Sequence, residues 1–226
     1  MFNGFSEKSG AFLLELAFNN ERPWFLAHRQ KFEEHVHTPF KALAAESYRL
    51  MTARFPDFEC SVHISRIYRD ARRLFGRGPY KDHLWFTLTD SRVLHEGPSF
   101  WFELDPGACG FGMGFWGATP AQMAAYRRGI DANPARFRRL AQTVEELGWT
   151  PGGESYKRPR GLRGDPLLDG WYNRRWVSAD KSLPLGGVVF TDALPALLVG
   201  EWAGLMPLYQ FLMEVYLACP EEDRPR

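Results

Sequence analysis

Two hydrophobic periodicities divide the chain. From Ser6 to about Leu50, apolar residues recur at three- and four-residue spacing, the pattern of amphipathic helices. Phe12, Leu13, Leu16 and Ala17 form the first apolar face, and Ser6 stands where a helix cap is expected. Asn20 is read as the cap of the next helix, with Pro23 in its first turn, where a missing N–H costs little. Phe25, Phe32 and Val36 continue that face until Pro39, which ends or kinks the helix. Phe40, Leu43, Ala44, Ser47 and Leu50 predict a third helical run.

The period then changes to two. Cys60, Val62 and Ile64 alternate with polar residues, as do Leu84, Phe86 and Leu88, and then Phe100, Phe102 and Leu104. The turn Asp105-Pro106-Gly107 leads to a fourth alternating run, Cys109, Phe111, Met113 and Phe115. Short strands joined in sequence predict an antiparallel meander of about four strands. Helices return at Thr119-Pro120-Ala121-Gln122, a capping box with proline at the first helical position. Asn133-Pro134 opens another, which Gly148 ends. Thr191 or Asp192 opens a last helical region, interrupted by Gly200, Gly204 and Pro207. The expected fold is α+β, with the sheet packed against N-terminal and C-terminal helices. Residues 1–226 are read as a single domain with a basic Gly/Pro-rich excursion at about 150–186.

Composition narrows the function classes. With 45% hydrophobic and 15% aromatic residues in 226, the chain is too apolar to be disordered and long enough for a substantial core. Its 28 basic and 27 acidic residues create no global field for steering onto nucleic acid or an anionic membrane, so any electrostatic attraction is local. Cys60, Cys109 and Cys219 are odd in number and widely spaced, which suits free thiols in a reducing compartment. The N-terminus MFNGFSEKSG lacks a basic region followed by an apolar stretch, and no uninterrupted apolar run of membrane-spanning length is read. A cytoplasmic protein without a membrane partner is expected.

The local chemistry concentrates in Arg66 to Lys81. Arg66, Arg69, Asp70, Arg72, Arg73, Arg77 and Lys81 share one glycine- and proline-turned loop. Guanidinium groups fork onto carboxylates and phosphates, so the loop is suited to capturing an anion. Arg66 stands out, because strict alternation puts it on the face of Val62 and Ile64. Either a bulge turns it outward, or a carboxylate such as Asp70 or a ligand satisfies it. Tyr80 adds a phenol beside Lys81. A second basic cluster, Lys157, Arg158, Arg160, Arg163, Arg174, Arg175 and Lys181, is interleaved with Trp171, Tyr172 and Trp176.

Other motifs exclude more than they offer. Gly112-x-Gly114-x-x-Gly117 has dinucleotide-fingerprint spacing but falls inside a predicted strand, not at a strand-to-helix turn. Gly110, Gly112 and Gly114 instead leave one strand face bare for close packing or a flat ligand. His35-x-His37 lies in a helix, where the two rings face apart. Asp57, Glu59, Asp82 and Glu103 are candidate acids or bases without an evident pair. No metal and no cofactor is predicted.

The segments Phe2-x-Gly4-Phe5, Asn19-Asn20-x-Arg22-x-Trp24-Phe25 with His28-Arg29, Arg66-Ile67-x-Arg69-Asp70, Pro79-Tyr80-Lys81, Gly112-x-Gly114 and Lys157-Arg158-Pro159-x-Gly161 occur in that order. Together they resemble the bacterial and fungal family catalogued as domain of unknown function 2461, over nearly the whole chain. The run Arg72-Arg73-Leu74-Phe75-Gly76-Arg77-Gly78 departs from the family pattern, with glycine at one loop lysine position. The resemblance brings no activity with it. It implies that the two basic loops and the Asn-Asn helix start are the family's signature.

The leading expectation is a site for an anionic small molecule bearing phosphate or carboxylate. Arg66, Arg69, Arg72 and Lys81 would bind the anion, Asp70 would orient an arginine, and Tyr80 would donate a hydrogen bond. Lys157 and Arg158 would close from the second loop. Two alternatives stay open: a nucleic-acid-binding accessory protein using Arg127, Arg128, Arg136, Arg138 and Arg139, and a structural module without a ligand. Oligomeric state and reaction are left open.

Overall fold

Leu84, Phe86, Leu88, Phe100, Phe102 and Leu104 are all fully buried, so the period-two pattern of the middle third does become the inner face of a sheet. The coordinates are a computed structural model, and the described residues are 1–70, 72, 74, 76–93 and 97–220. Arg73 and Phe75 of the basic loop lie outside them. The predicted strands are β1 (Cys60–Ile64), β2 (Leu84–Asp90), β3 (Ser99–Leu104) and β4 (Ala108–Phe115). Two more, β5 (Thr150–Gly152) and β6 (Val177–Pro184), come from the excursion. Among the described residues the antiparallel sheet thus has six strands rather than four, in the order β1-β2-β3-β4-β6-β5. β5 is three residues long and contains Pro151 and Gly152, too short to show a period.

The chain divides into two compact units. The first holds Met1–Leu88, Trp101–Phe111 and Ser182–Val199. Its helices are α1 (Glu7–Phe18), α2 (Arg22–Phe32) and α3 (Thr38–Arg54). Phe5 stacks on Phe102 at 6.2 Å, and Phe40 meets Phe86 edge-on at 5.6 Å, so helix and sheet faces share one aromatic core. The second unit holds Thr89–Phe100, Gly112–Lys181 and Gly200–Arg226. Its helices are α4 (Pro120–Ala132), α5 (Pro134–Glu146), α6 (Pro166–Tyr172) and most of α7 (Leu194–Ala218). Phe211 of α7 packs on Phe137 at 5.0 Å, and Tyr209 on Phe100 at 5.3 Å.

Several terminus signals act as read. Thr119 and Gln122 exchange the two hydrogen bonds of a capping box, and the Asn133 side chain accepts from the Arg136 N–H. Gly148 takes φ +80° just past α5, a conformation that a Cβ disfavours. The last helix differs from expectation. It runs unbroken through Gly200, Gly204 and Pro207, and by length and composition alone it is apolar enough to cross a membrane. Half of that stretch is buried, with Leu205, Leu208 and Leu212 fully so, as in the core helix of a globular protein.

The helix does not end at Pro39. Between α2 and α3 the backbone widens into one π turn, Glu33–His37, with the Thr38 N–H bonded to the Glu33 carbonyl. The cause is local. Proline has no N–H to give the carbonyl four residues back, which belongs to His35. The Ser9 hydroxyl of α1 donates to that carbonyl instead, at 2.7 Å, while Ser9 itself is fully buried. Ser9→Ala is expected to cost about 1–2 kcal/mol by leaving this carbonyl without its donor. The check is a lower urea midpoint at unchanged slope.

Candidate functional site

The basic loop is built as a small antiparallel clasp. Arg69 N–H donates to the Pro79 carbonyl at 2.8 Å and Lys81 N–H to the Ile67 carbonyl at 2.7 Å, with Tyr68 and Tyr80 facing each other. Asn20 holds the clasp from the helical side. Its side-chain amide donates to the Tyr80 carbonyl and accepts from the Tyr80 N–H, both at 2.9 Å. Gly78 lies so close to Asn20 that a Cβ there would overlap it. The Tyr80 ring is stacked on Phe25 at 4.2 Å. Asn20 is therefore not the cap of α2; Glu21 occupies that position. The Asn-Asn-x-Arg-x-Trp-Phe and Pro-Tyr-Lys segments meet as one structural joint.

This joint decides what the loop's charges do. Arg69 donates from Nε to the Tyr80 carbonyl at 2.7 Å and from Nη2 to Asp82 at 3.4 Å. Asp70 accepts from the backbone and guanidinium of Arg72, whose side chain is 86% exposed. Asp70 thus orients Arg72, not Arg66. Tyr80 is buried, and that burial, reinforced by Tyr68, pushes its phenol upward from the ordinary range. Lys81 stands over Trp85 at 5.6 Å; burial and the neighbouring Arg69 charge push its ammonium downward, against the pull of Glu103. Burial works against the Asp82 carboxylate, yet backbone and His83 hydrogen bonds and Arg69 hold it below the usual range. Glu103 is pushed upward by burial and by Asp105.

Arg66 goes elsewhere. The alternation of β1 slips at its end: Ser65 is buried, Arg66 exposed and Ile67 buried. Arg66 turns outward into a cleft of about 330 Å³ lined by α2, the π turn, α3 and residues 64–68. The floor is apolar, with Phe25, Phe32 and Ile67 buried, and Tyr68 stands half exposed at the edge. Arg29, Lys41 and Arg66 are exposed at the rim, and none of them has an ion pair among the described residues. Glu33 and His37 complete the lining, joined at 2.7 Å from Oε2 to Nδ1. Sequence reading missed Arg29, Glu33, His37 and Lys41. They recur every four residues, a charged stripe continuous with Phe25 along one helical face.

The second basic cluster belongs to the other unit. There Arg127 donates to the carbonyls of Met123, Tyr172 and Arg174, and Arg174 to those of Gly153 and Gly170. Asn173 closes the 160–161 turn by accepting from Arg160 and Gly161 and donating to Gly161. Arg163 lies over the Tyr172 ring at 4.2 Å and pairs with Asp131 at 2.8 Å. Arg136 forks onto Glu214, and Arg138 pairs with Asp165. These cations are occupied in holding the chain's own backbone and carboxylates. Lys157 and Arg158 are exposed. The bare strand face is used for close packing at Gly114, where a Cβ would touch Ser178 and the Trp116 ring. Among the described residues there is no group of side chains suited to a metal ion.

An α+β fold with a cationic rim over an apolar cleft defines a globular protein with a ligand-sized recess. The chain belongs to the family described as conserved hypothetical protein (DUF2461), whose model matches residues 8–211. No curated protein matches it.

Proposed function

We propose that the first unit's cleft binds a small anion, phosphate or carboxylate, carrying an apolar group. One observation carries this reading: three cations without ion pairs among the described residues rim a buried aromatic floor. Among the described lining residues Glu33 is the one carboxylate against them, so these charges give the recess a positive balance while the chain as a whole is near neutral. A guanidinium at the rim offers a planar fork for the oxyanion. The apolar floor rewards a hydrocarbon or aromatic body, about 25 cal/mol for each Å² removed from water. In this reading Arg66 is the principal ligand, Arg29 and Lys41 share the charge, and Arg69 and Tyr80 support the wall from behind. Cys60, Cys109 and Cys219, none of them in a disulfide, suit the cytoplasm.

The test is thermal stability with phenyl phosphate, 3-phenylpropionate and inorganic phosphate. A probe at a hundred times its dissociation constant adds about 2.7 kcal/mol, or about 5–11 °C for a chain of this size. The amphipathic probes should bind more tightly than inorganic phosphate. Arg66→Glu should weaken them at least about tenfold, equivalent to about 1.4 kcal/mol, with the unliganded melting point unchanged because the side chain is exposed. Equal responses from the wild type and Arg66→Glu would rule this cleft out.

A further inference from the structure

We infer that the same cleft is catalytic, with His37 acting as general base on water to hydrolyse an ester of an anionic acid. This rests on the anion reading, since the rim cations supply the anchor. Its geometry is independent of that reading. Glu33 Oε2 lies 2.7 Å from His37 Nδ1, and an ionised carboxylate only accepts hydrogen bonds. Nδ1 therefore carries the proton, and in the neutral ring Nε2 is the basic nitrogen left for a ligand. The His37 ring also stacks on Phe32, 5.4 Å between centroids and 13° from parallel, which limits its rotation.

The pair sits on the π turn that Pro39 and Ser9 impose, and such turns are frequent at functional sites. An oriented base, cations placed to meet developing negative charge, and an apolar wall share one recess. The other polar groups lining it are the Ser65 hydroxyl and the Tyr68 phenol. Ser65 Oγ accepts the Trp85 N–H at 3.0 Å and, among the described residues, makes no hydrogen bond to His37, so water is assigned as the nucleophile.

Hydrolysis needs no co-reactant beyond water. The water oxygen bonds to the ester carbonyl carbon while a proton passes to His37 Nε2. The carbonyl electron pair moves onto its oxygen, where a rim cation meets the charge. Collapse re-forms the carbonyl and breaks the bond to the leaving oxygen, which takes the proton back from His37. The products are an acid, an alcohol and the original ring.

The probes are 4-nitrophenyl hemisuccinate, which is anionic, and 4-nitrophenyl acetate, which is neutral. The wild type should hydrolyse the anionic ester with the higher kcat/KM. His37→Gln should lower kcat about 100-fold, within the usual range for general-base loss, while 3-phenylpropionate still binds. Glu33→Gln should lower kcat at unchanged KM and shift the pH profile, which a purely structural role would not do. Retained anion binding with hydrolysis no faster than buffer, or with His37→Gln as active as the wild type, overturns the catalytic inference and leaves the binding reading standing. Absence of binding by every anion overturns both.

Discussion

Asp90→Ala is expected to destabilise the protein by about 3 kcal/mol, or about 6–12 °C in melting temperature. The Asp90 side chain is fully buried at the end of β2, yet it is fully engaged. Arg92 forks onto it from Nε at 2.8 Å and Nη2 at 2.6 Å, the Arg92 N–H donates at 2.9 Å, and the buried Tyr209 hydroxyl donates at 3.1 Å. Alanine removes a charged acceptor from four donor groups at once. Tyr209→Phe removes one donor and should cost only about 1 kcal/mol.

The same carboxylate predicts a pH dependence. Burial alone would push Asp90 up, but the Arg92 side-chain and backbone hydrogen bonds and Tyr209 outweigh it and hold the group below the ordinary value. A group depressed in the folded state binds its proton more readily when unfolded. Its contribution is thus complete above the unfolded value, about 3.9, and is lost as pH falls through the lower folded value. Urea midpoints measured downward from pH 5 should fall more steeply for the wild type than for Asp90→Ala. Parallel curves would show that Asp90 does not carry this dependence.

Asn20→Ala is the second large effect, about 2–3 kcal/mol, because one side chain bonds both the N–H and the carbonyl of Tyr80, and among the described residues only the carbonyl has another partner, Arg69. Asn20→Asp should fare no better. It keeps an acceptor for the Tyr80 N–H but turns a second oxygen toward the Tyr80 carbonyl. The effect should reach the cleft, since the Tyr80 ring supports Phe25 and Phe25 forms part of the floor. Anion affinity should drop in Asn20→Ala although no charge has changed. Hydrogen exchange should locate faster opening at residues 67–69 and 79–81. Unchanged protection there would mean that Asn20 does not hold the clasp.

Some of this was legible along the chain. The four alternating runs became β1 to β4 because each has one face less exposed than the other, only partly covered in β1 and buried in β2 to β4, and a period of two then fixes which residues point inward. Thr119, Asn133 and Gly148 mark helix ends because their effect is exerted within four residues. Pro39 was readable as an irregularity in the helix for the same reason, and the structure has a π turn just before it. Asn20 was misread because a cap and a distant clamp ask for the same short amide, and its partner lies 60 residues away. The helical breaks expected at Gly200, Gly204 and Pro207 did not occur, because burial of the apolar face overrides weak local propensity.

What the sequence by itself determined is the α+β class, the order of helices and strands, and the existence of an outsized cationic loop at Arg66 to Lys81. These follow from period, local caps and composition. Tertiary structure alone decided which of those cations are free to act. Arg69 and Arg72 are taken up by Tyr80, Asp82 and Asp70, while Arg66 leaves the loop and joins Arg29, Lys41 and the Glu33–His37 pair. The physical reason is that a charge is committed or available according to the carboxylates and carbonyls that folding brings within hydrogen-bond reach, and most of those partners are remote in sequence.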